Sequence, residues 1–192
     1  MGDSLINCKR LSWLTLKHVD IGDHNLKLPP PINTIDLEHV ILPGGVTLEN
    51  CTRLDRLTLK HVDIGDHNLR LPASIINIVL DHVTVRGGIS LENCTLLEGL
   101  RFEYVNIGDH NLQLPAPIKS IDLYYVTVPG GISLANCTRL SWLTLKHVDI
   151  ETTLCSFQHQ SSTLSLTMSL CEGESQWRTV HCLKDLHLNM SI

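Results

Sequence analysis

Aromatic residues are scarce in this 192-residue chain, at 4%, so any core it builds has to be aliphatic. Charge is modest too: 18% of residues are charged and the formal net charge is −5. Nucleic-acid binders carry a basic face, so no nucleic-acid partner is expected. No apolar run approaches the ~18 residues of a membrane helix, and residues 1–30 lack the apolar stretch of a secretory signal. Ile6 stands where a myristoylation signal needs Ser or Thr. No membrane partner is expected either. P-loop, GxSxG, HExxH and Rossmann glycine patterns are all missing, as are CxxC and CxxH pairs of zinc-site spacing. The chain is therefore expected to be no enzyme, with no catalytic residues, metal or cofactor. What is present is 43% hydrophobic residues, enough for a real core in a soluble, mildly acidic protein.

The chain repeats itself. Asn-Cys occurs at 7–8, 50–51, 93–94 and 136–137, 43 residues apart each time, and Arg10 to Ile21 recurs unchanged as Arg139 to Ile150. Two halves lie inside each unit. Leu54, Leu57, Leu59, Val62 and Ile64 are spaced 3, 2, 3 and 2, and Ile75, Ile78, Leu80, Val83 and Val85 copy that spacing. Half-units start at Leu11, Ile32, Leu54, Ile75, Leu97, Ile118 and Leu140, alternately 21 and 22 residues apart. Continuing the count gives diverged starts near Ser161 and Leu183, with Leu164, Leu166, Leu186 and Leu188 on inward strand positions. Cys155, Phe157 and Trp177 then fall in core columns. One array over residues 1–192 is expected, of nine coils with the last unfinished. Gly2 to Cys8 aligns with Gly88 to Cys94, so neither end is expected to carry a cap, as in a segment of something longer.

This pattern resembles the leucine-rich repeat, L-x-x-L-x-L-x-x-N/C-x-L, at the short end of its length range. Cys51-Thr-Arg-Leu54-Asp-Arg-Leu57-Thr-Leu59, followed by Ile64-Gly65-Asp66 and Leu69, looks like its cysteine-containing class. That class is known from F-box substrate receptors and is related to the repeats of NOD-like innate immune receptors. The resemblance implies a β-rich, α/β-class solenoid with a parallel sheet on its concave face. In one respect the chain departs from it. Val19, Val40, Val62, Val83, Val105, Val126 and Val148 fill the column usually held by Asn. Valine cannot form an amide ladder, so aliphatic stacking and other backbone pairing must hold that turn.

The spacing carries its own physical reading. A central Leu-x-Leu is a short strand, Leu inward and x outward. Such strands stacked in parallel ~4.8 Å apart bury one another's leucines. On the return arm, Asp23, Asp66 and Asp109 after Gly suit a turn or a short helix cap. Pro43-Gly44-Gly45 and Pro129-Gly130-Gly131 demand tight non-helical turns. Few residues remain for helices, so the convex side is expected to be mostly extended, 3₁₀ or short helical segments.

Cysteine usage points to a compartment. Cys8, Cys51, Cys94 and Cys137 form one column, two coils apart, or roughly 10 Å, beyond the ~7 Å reach of a disulfide. The total of seven is odd, which excludes a complete disulfide framework. Buried reduced thiols in a cytoplasmic protein are the preferred reading. Asn50, Asn93 and Asn136 each begin Asn-Cys-Thr, and Asn189 begins Asn-Met-Ser, all glycosylation acceptors. An extracellular location is the alternative, should the amino terminus be truncated.

Histidine is abundant, with eleven copies. His18, His39, His61, His82 and His147 occupy one column just after the strand, with Tyr104 and Tyr125 between. A stacking ladder made by duplication is preferred over pH-sensitive binding or metal ligation. His24, His67 and His110 sit in Gly-Asp-His-Asn turns two coils apart, where turn chemistry is the expected role.

The outward side of the sheet remains. Copied residues along a ribbon make a surface, whereas catalysis needs unlike groups converging in a pocket. The partner-binding face is expected to comprise Trp13, Lys17, Arg56, Lys60, Asp81, Arg101, Tyr104, Asp122, Tyr124, Tyr125, Trp142 and Lys146. Trp, Tyr and Arg are the side chains enriched at interface hot spots. A protein or peptide ligand is therefore expected on the concave face. A sensing array of an innate immune receptor is the leading biology, with an F-box-type adaptor of a ubiquitin ligase or a receptor ectodomain as alternatives.

Overall fold

A two-residue alternation of Leu with polar side chains can bury only one face of a strand, and one strand alone leaves that face in water. The computed structural model, which describes residues 5–134, 136–149, 165–169 and 188–190, shows the solution: a parallel β-solenoid. Its long sheet takes the strands in sequence order, Trp13–Asp20, Thr34–Ile41, Arg56–Lys60, Asn77–Asp81, Gly99–Glu103, Ser120–Tyr124, Trp142–Lys146, Ser165–Ser169 and Leu188–Met190. Every described pairing in it is parallel, as expected when each coil returns to start beside the last.

The register is the repeat. Leu14, Ile35, Leu57, Ile78, Leu100, Ile121 and Leu143 lie opposite one another in turn. So do Leu16, Leu37, Leu59, Leu80, Phe102, Leu123 and Leu145. Both rows are buried throughout except at Leu16 in the first coil, which is partly so. Phe102 breaks the aliphatic rule and is fully buried. Each such side chain contributes about 1.5–3 kcal/mol of burial.

After the strand comes a corner. Leu59 and Val62 both face inward, yet Lys60 and His61 between them face out, which strict alternation forbids. The chain resolves this at one residue. His18, His39, His61, His82, Tyr104, Tyr125 and His147 all have φ between +51° and +54°. That left-handed turn swings Val40, Val62, Val83, Val105 and Val126 into the core. Backbone bridges then replace the amide ladder that valine lacks, running Ile41 to Asp63, Thr84, Asn106, Thr127 and Asp149. Asp20, Asp63 and Asn106 each accept a hydrogen bond from the N–H of Gly22, Gly65 or Gly108 at 2.8–2.9 Å.

The return arm is extended rather than helical. Leu26–Lys27 pairs with Val46–Thr47, Leu69–Arg70 with Ile89–Ser90, and Leu112–Gln113 with Ile132–Ser133, one small parallel pair per 43-residue unit. Among the described residues the helical structure is one 3₁₀ turn, Leu5–Asn7.

Beyond the seventh coil the register differs from the simple count. Leu143 lies opposite Leu166 and Leu145 opposite Met168, where the count placed Leu164 and Leu166. Leu166 in turn pairs with Leu188. A two-residue slip preserves the alternation of faces, which is why the strand can still join the sheet. Cys155, Phe157 and Trp177 lie outside the described residues, as do the proposed starts at Ser161 and Leu183.

Candidate functional site

Three rows of side chains leave the outer side of the long sheet, one from each outward position of the strands. The first row runs Trp13, Thr34, Arg56, Asn77, Gly99, Ser120 and Trp142. The second runs Thr15, Asp36, Thr58, Val79, Arg101, Asp122 and Thr144. Lys17, Glu38, Lys60, Asp81, Glu103, Tyr124 and Lys146 make the third. Trp13 is 65% exposed and Trp142 48%.

The Trp142 indole is anchored at its polar end. Its N–H donates to Asp122 Oδ1 at 3.0 Å and to Thr144 Oγ1 at 2.9 Å, and Thr144 is itself buried. Tyr124 lies between two cations: Arg101 and Lys146 each sit 5.6 Å from its ring centroid. Arg101 also bonds Glu103 two residues along its own strand, at 3.1 Å. Lys17 and Glu38 pair across strands at 2.6 Å. That hydrogen bond, ahead of simple charge attraction, raises the Lys17 pKa and lowers that of Glu38. Both groups sit in solvent, so the pair orients the row rather than holding the fold.

Tyr104 and Tyr125 occupy a different place from the remaining face residues. They stand in the histidine column at the sheet margin, 44% and 46% exposed. The column is one continuous stack. Ring centroids from His18 through His39, His61, His82, Tyr104 and Tyr125 to His147 are 4.4–4.8 Å apart, with planes within 28° of parallel. Parallel rings suit mutual contact and do not suit a shared metal. Tetrahedral ligation at ~2.0–2.1 Å brings two nitrogens to about 3.4 Å, with converging lone pairs. Among the described residues, no group of three or more His, Cys, Asp or Glu is placed to hold a metal.

The second histidine set belongs to the turns. Nε2 of His67 lies 3.0 Å from the Pro43 carbonyl, and its ring packs against Gly45. His110 packs against Gly88 in the same way. Asn25 donates to the Gly44 carbonyl and accepts from Thr47 Oγ1 at 2.7 Å. A shallow depression of about 210 Å³ opens on this side, lined in part by Asn68, Ser90, Glu92, His110, Asn111 and Gln113.

Cys51, Cys94 and Cys137 are buried and unpaired, whereas Cys8, in the first coil, is exposed and departs from the expected column of buried thiols. Burial pushes the thiol pKa of Cys51 and Cys94 up to about 11 and that of Cys137 to about 12. Asn50, Asn93 and Asn136 are exposed, with their carbonyls accepting from the Thr52, Thr95 and Thr138 N–H groups.

Sequence reasoning placed the outward residues but missed the left-handed corner. The signal was in the 3-residue step from Leu59 to Val62, which puts two outward residues in succession. The architecture is that of a parallel-strand solenoid. No family model, curated protein or solved structure matches the chain.

Proposed function

We propose that this chain is a non-catalytic recognition module that binds a protein or peptide on the outward face of its long sheet. One observation supports the reading above others: the face keeps two tryptophans in solvent and sets a tyrosine between two cations. Trp13 and Trp142 are exposed, and Tyr124 is flanked by Arg101 and Lys146. Such rigid aromatic and arginine anchors supply most of the energy at protein interfaces. Lys17, Arg56, Lys60, Asp81 and Asp122 share the face with them and carry charge of both signs, which favours selectivity over bulk attraction.

The repeat pattern supports a leucine-rich-repeat array, and near-identical copies suit a recognition surface still diversifying. A sensing array of a NOD-like or related innate immune receptor fits this; an F-box-type adaptor would use the same face. Unpaired buried Cys51, Cys94 and Cys137 favour a reducing, cytoplasmic setting. The exposed Asn50, Asn93 and Asn136 favour a receptor ectodomain as the second reading, and a glycan at Asn50 would establish it.

The test begins with peptides selected on the parent protein from a display library. Tyr124→Ala and Trp142→Ala should each weaken a selected peptide roughly 30-fold, equivalent to ~2 kcal/mol. Tyr124→Ala should change stability by under ~0.5 kcal/mol. Trp142→Ala also removes a hydrogen bond to buried Thr144 and should cost about 1 kcal/mol. Gln113→Ala, among the short strands, should leave binding unchanged. Peptides indifferent to both aromatics but lost with Gln113→Ala would move recognition to the short-strand side and overturn the proposal.

A further inference from the structure

Residues 10–21 and 139–150 are identical, so the strands Trp13–Asp20 and Trp142–Lys146 present the same side chains in two surroundings. Each pairs in the same register with the strand that follows, Trp13 opposite Thr34 and Trp142 opposite Ser165. They differ on the preceding side. Trp142–Lys146 has Ser120–Tyr124 there, paired in parallel. Among the described residues no strand pairs with Trp13–Asp20 on that side. Exposure registers the difference. Thr144 and Leu145 are buried, whereas Thr15 is exposed and Leu16 only partly covered. Trp13 is likewise more exposed than Trp142.

The later copy shows what the earlier edge is shaped to take. The N–H groups of Ser141 and Trp142 donate to the Lys119 carbonyl at 2.9 and 3.1 Å, and the Lys146 carbonyl accepts from the Tyr125 N–H at 2.9 Å. Backbone groups at positions 142 and 146 thus face the preceding coil, and by the two-residue period those of Thr144 do too. The identical residues Trp13, Thr15 and Lys17 aim the same groups at the outer edge. Side chains complete the fit. Asp122 accepts from the Trp142 indole at 3.0 Å, Lys146 sits 5.6 Å from the Tyr124 ring centroid, and Tyr125 stacks on His147 at 4.5 Å. Trp13, Lys17 and His18 hold out the same indole, cation and imidazole. A strand edge without a neighbour is a template for another chain. Here the template has a defined complement.

We propose that the outer edge of Trp13–Asp20 docks an extended segment of a partner chain with the chemistry of residues 120–125: inward Ile and Leu, an outward acid and two tyrosines. The segment adds as a parallel strand. Its Ile and Leu cover Leu14 and Leu16 as Ile121 and Leu123 lie against Leu143 and Leu145. Its acid meets the Trp13 indole, its first tyrosine Lys17 and its second His18. A strand of the Arg56–Lys60 kind has the same alternation but the wrong charges. It would set Lys opposite Lys17, and like charges directly opposite destabilise a sheet. The contacts run along the edge of one strand rather than across the outward face, so this inference stands whatever that face binds.

The probe is a fluorescent synthetic peptide with the sequence of residues 119–128, titrated with the full chain and read by anisotropy. Saturable micromolar binding is expected. A peptide of residues 53–62, which carries the Arg56–Lys60 strand, should bind at least about tenfold more weakly. Proline is tolerated on an edge strand where its missing N–H would face solvent. Thr15→Pro should therefore keep the fold while weakening the first peptide at least about tenfold. Should that variant fail to fold, the indole N–H signals of the parent decide by NMR: the Trp13 signal should move on peptide addition and the Trp142 signal should stay. No binding, equal affinity for the two peptides, a folded Thr15→Pro that binds as the parent does, or movement of Trp142 alone would each overturn the proposal. So would self-association of the parent, lost in Thr15→Pro, without peptide binding, since the edge would then belong to a second copy.

Discussion

A thiol is the smallest probe of how dry this molecule is. The thiolate is the reactive form, and transfer into an apolar stack disfavours it. Cys51, Cys94 and Cys137 are held up at about 11, 11 and 12, against an ordinary value of 9.0. Native protein treated with iodoacetamide at pH 8 should therefore be alkylated at exposed Cys8 and spared at Cys51, Cys94 and Cys137, with guanidinium making those three reactive as well. Peptide mass spectrometry reads each site separately, and native alkylation of Cys94 matching Cys8 would contradict the assigned burial. The sign of the pH effect follows. Because the folded pKa is raised, the thiols' contribution to stability is present below about pH 9 and is lost as pH rises toward 11. The repeated column was legible in the sequence; the exposure of Cys8 was not, because burial is set by what packs on a side chain and not by its place in the repeat.

At the scale of the element, the strands and the turns obey different constraints. A strand needs only its two inward side chains to match the neighbouring coil. A turn on the return arm must also clear the backbone of the coil beside it. A Cβ on Gly87 would stand 2.4 Å from the His67 carbonyl carbon, and one on Gly44 would stand 2.5 Å from the Asp23 carbonyl oxygen. Neither contact can be relieved by rotating a side chain. Gly87→Ala should accordingly cost about 2–3 kcal/mol in urea unfolding, at the upper end of overpacking penalties. Gly22→Ala meets nothing within 4 Å and has only its φ of +68° to resist it, so about 1 kcal/mol is expected. Equal costs would mean that the return arms yield more readily than their spacing implies. The Pro-Gly-Gly motif announced a tight turn from the sequence alone. The reason for its first glycine is a contact with a turn roughly twenty residues earlier, and no local pattern encodes that distance.

For the whole molecule, each coil is stable only against its neighbours, so damage at one position should spread. Leu100 is 2% exposed and lies between Ile78 and Ile121 in the stack. Leu100→Asp buries an unpaired carboxylate at a cost of several kcal/mol, so the coils on both sides should lose their ordered β signal in circular dichroism. A spectrum unchanged from the parent would show that position 100 does not face the core.

Period, parallel stacking and the inward residues of the first seven coils are all legible along the sequence. Those follow from side-chain alternation along a strand and from the need of each apolar face for a neighbour, both readable along one coil. The sequence also marked the outward residues by exclusion. Which of them meet depends on how the coils stack. Tyr124 gains Arg101 from the strand before it and Lys146 from the strand after it, while Glu103 takes the same arginine within one strand. Only the tertiary structure showed that seven His and Tyr residues share a left-handed corner and stack face to face. The physical reason is common to both. Contacts between coils join residues 21 to 23 positions apart, and their geometry depends on the phase in which successive coils close, which no single repeat contains.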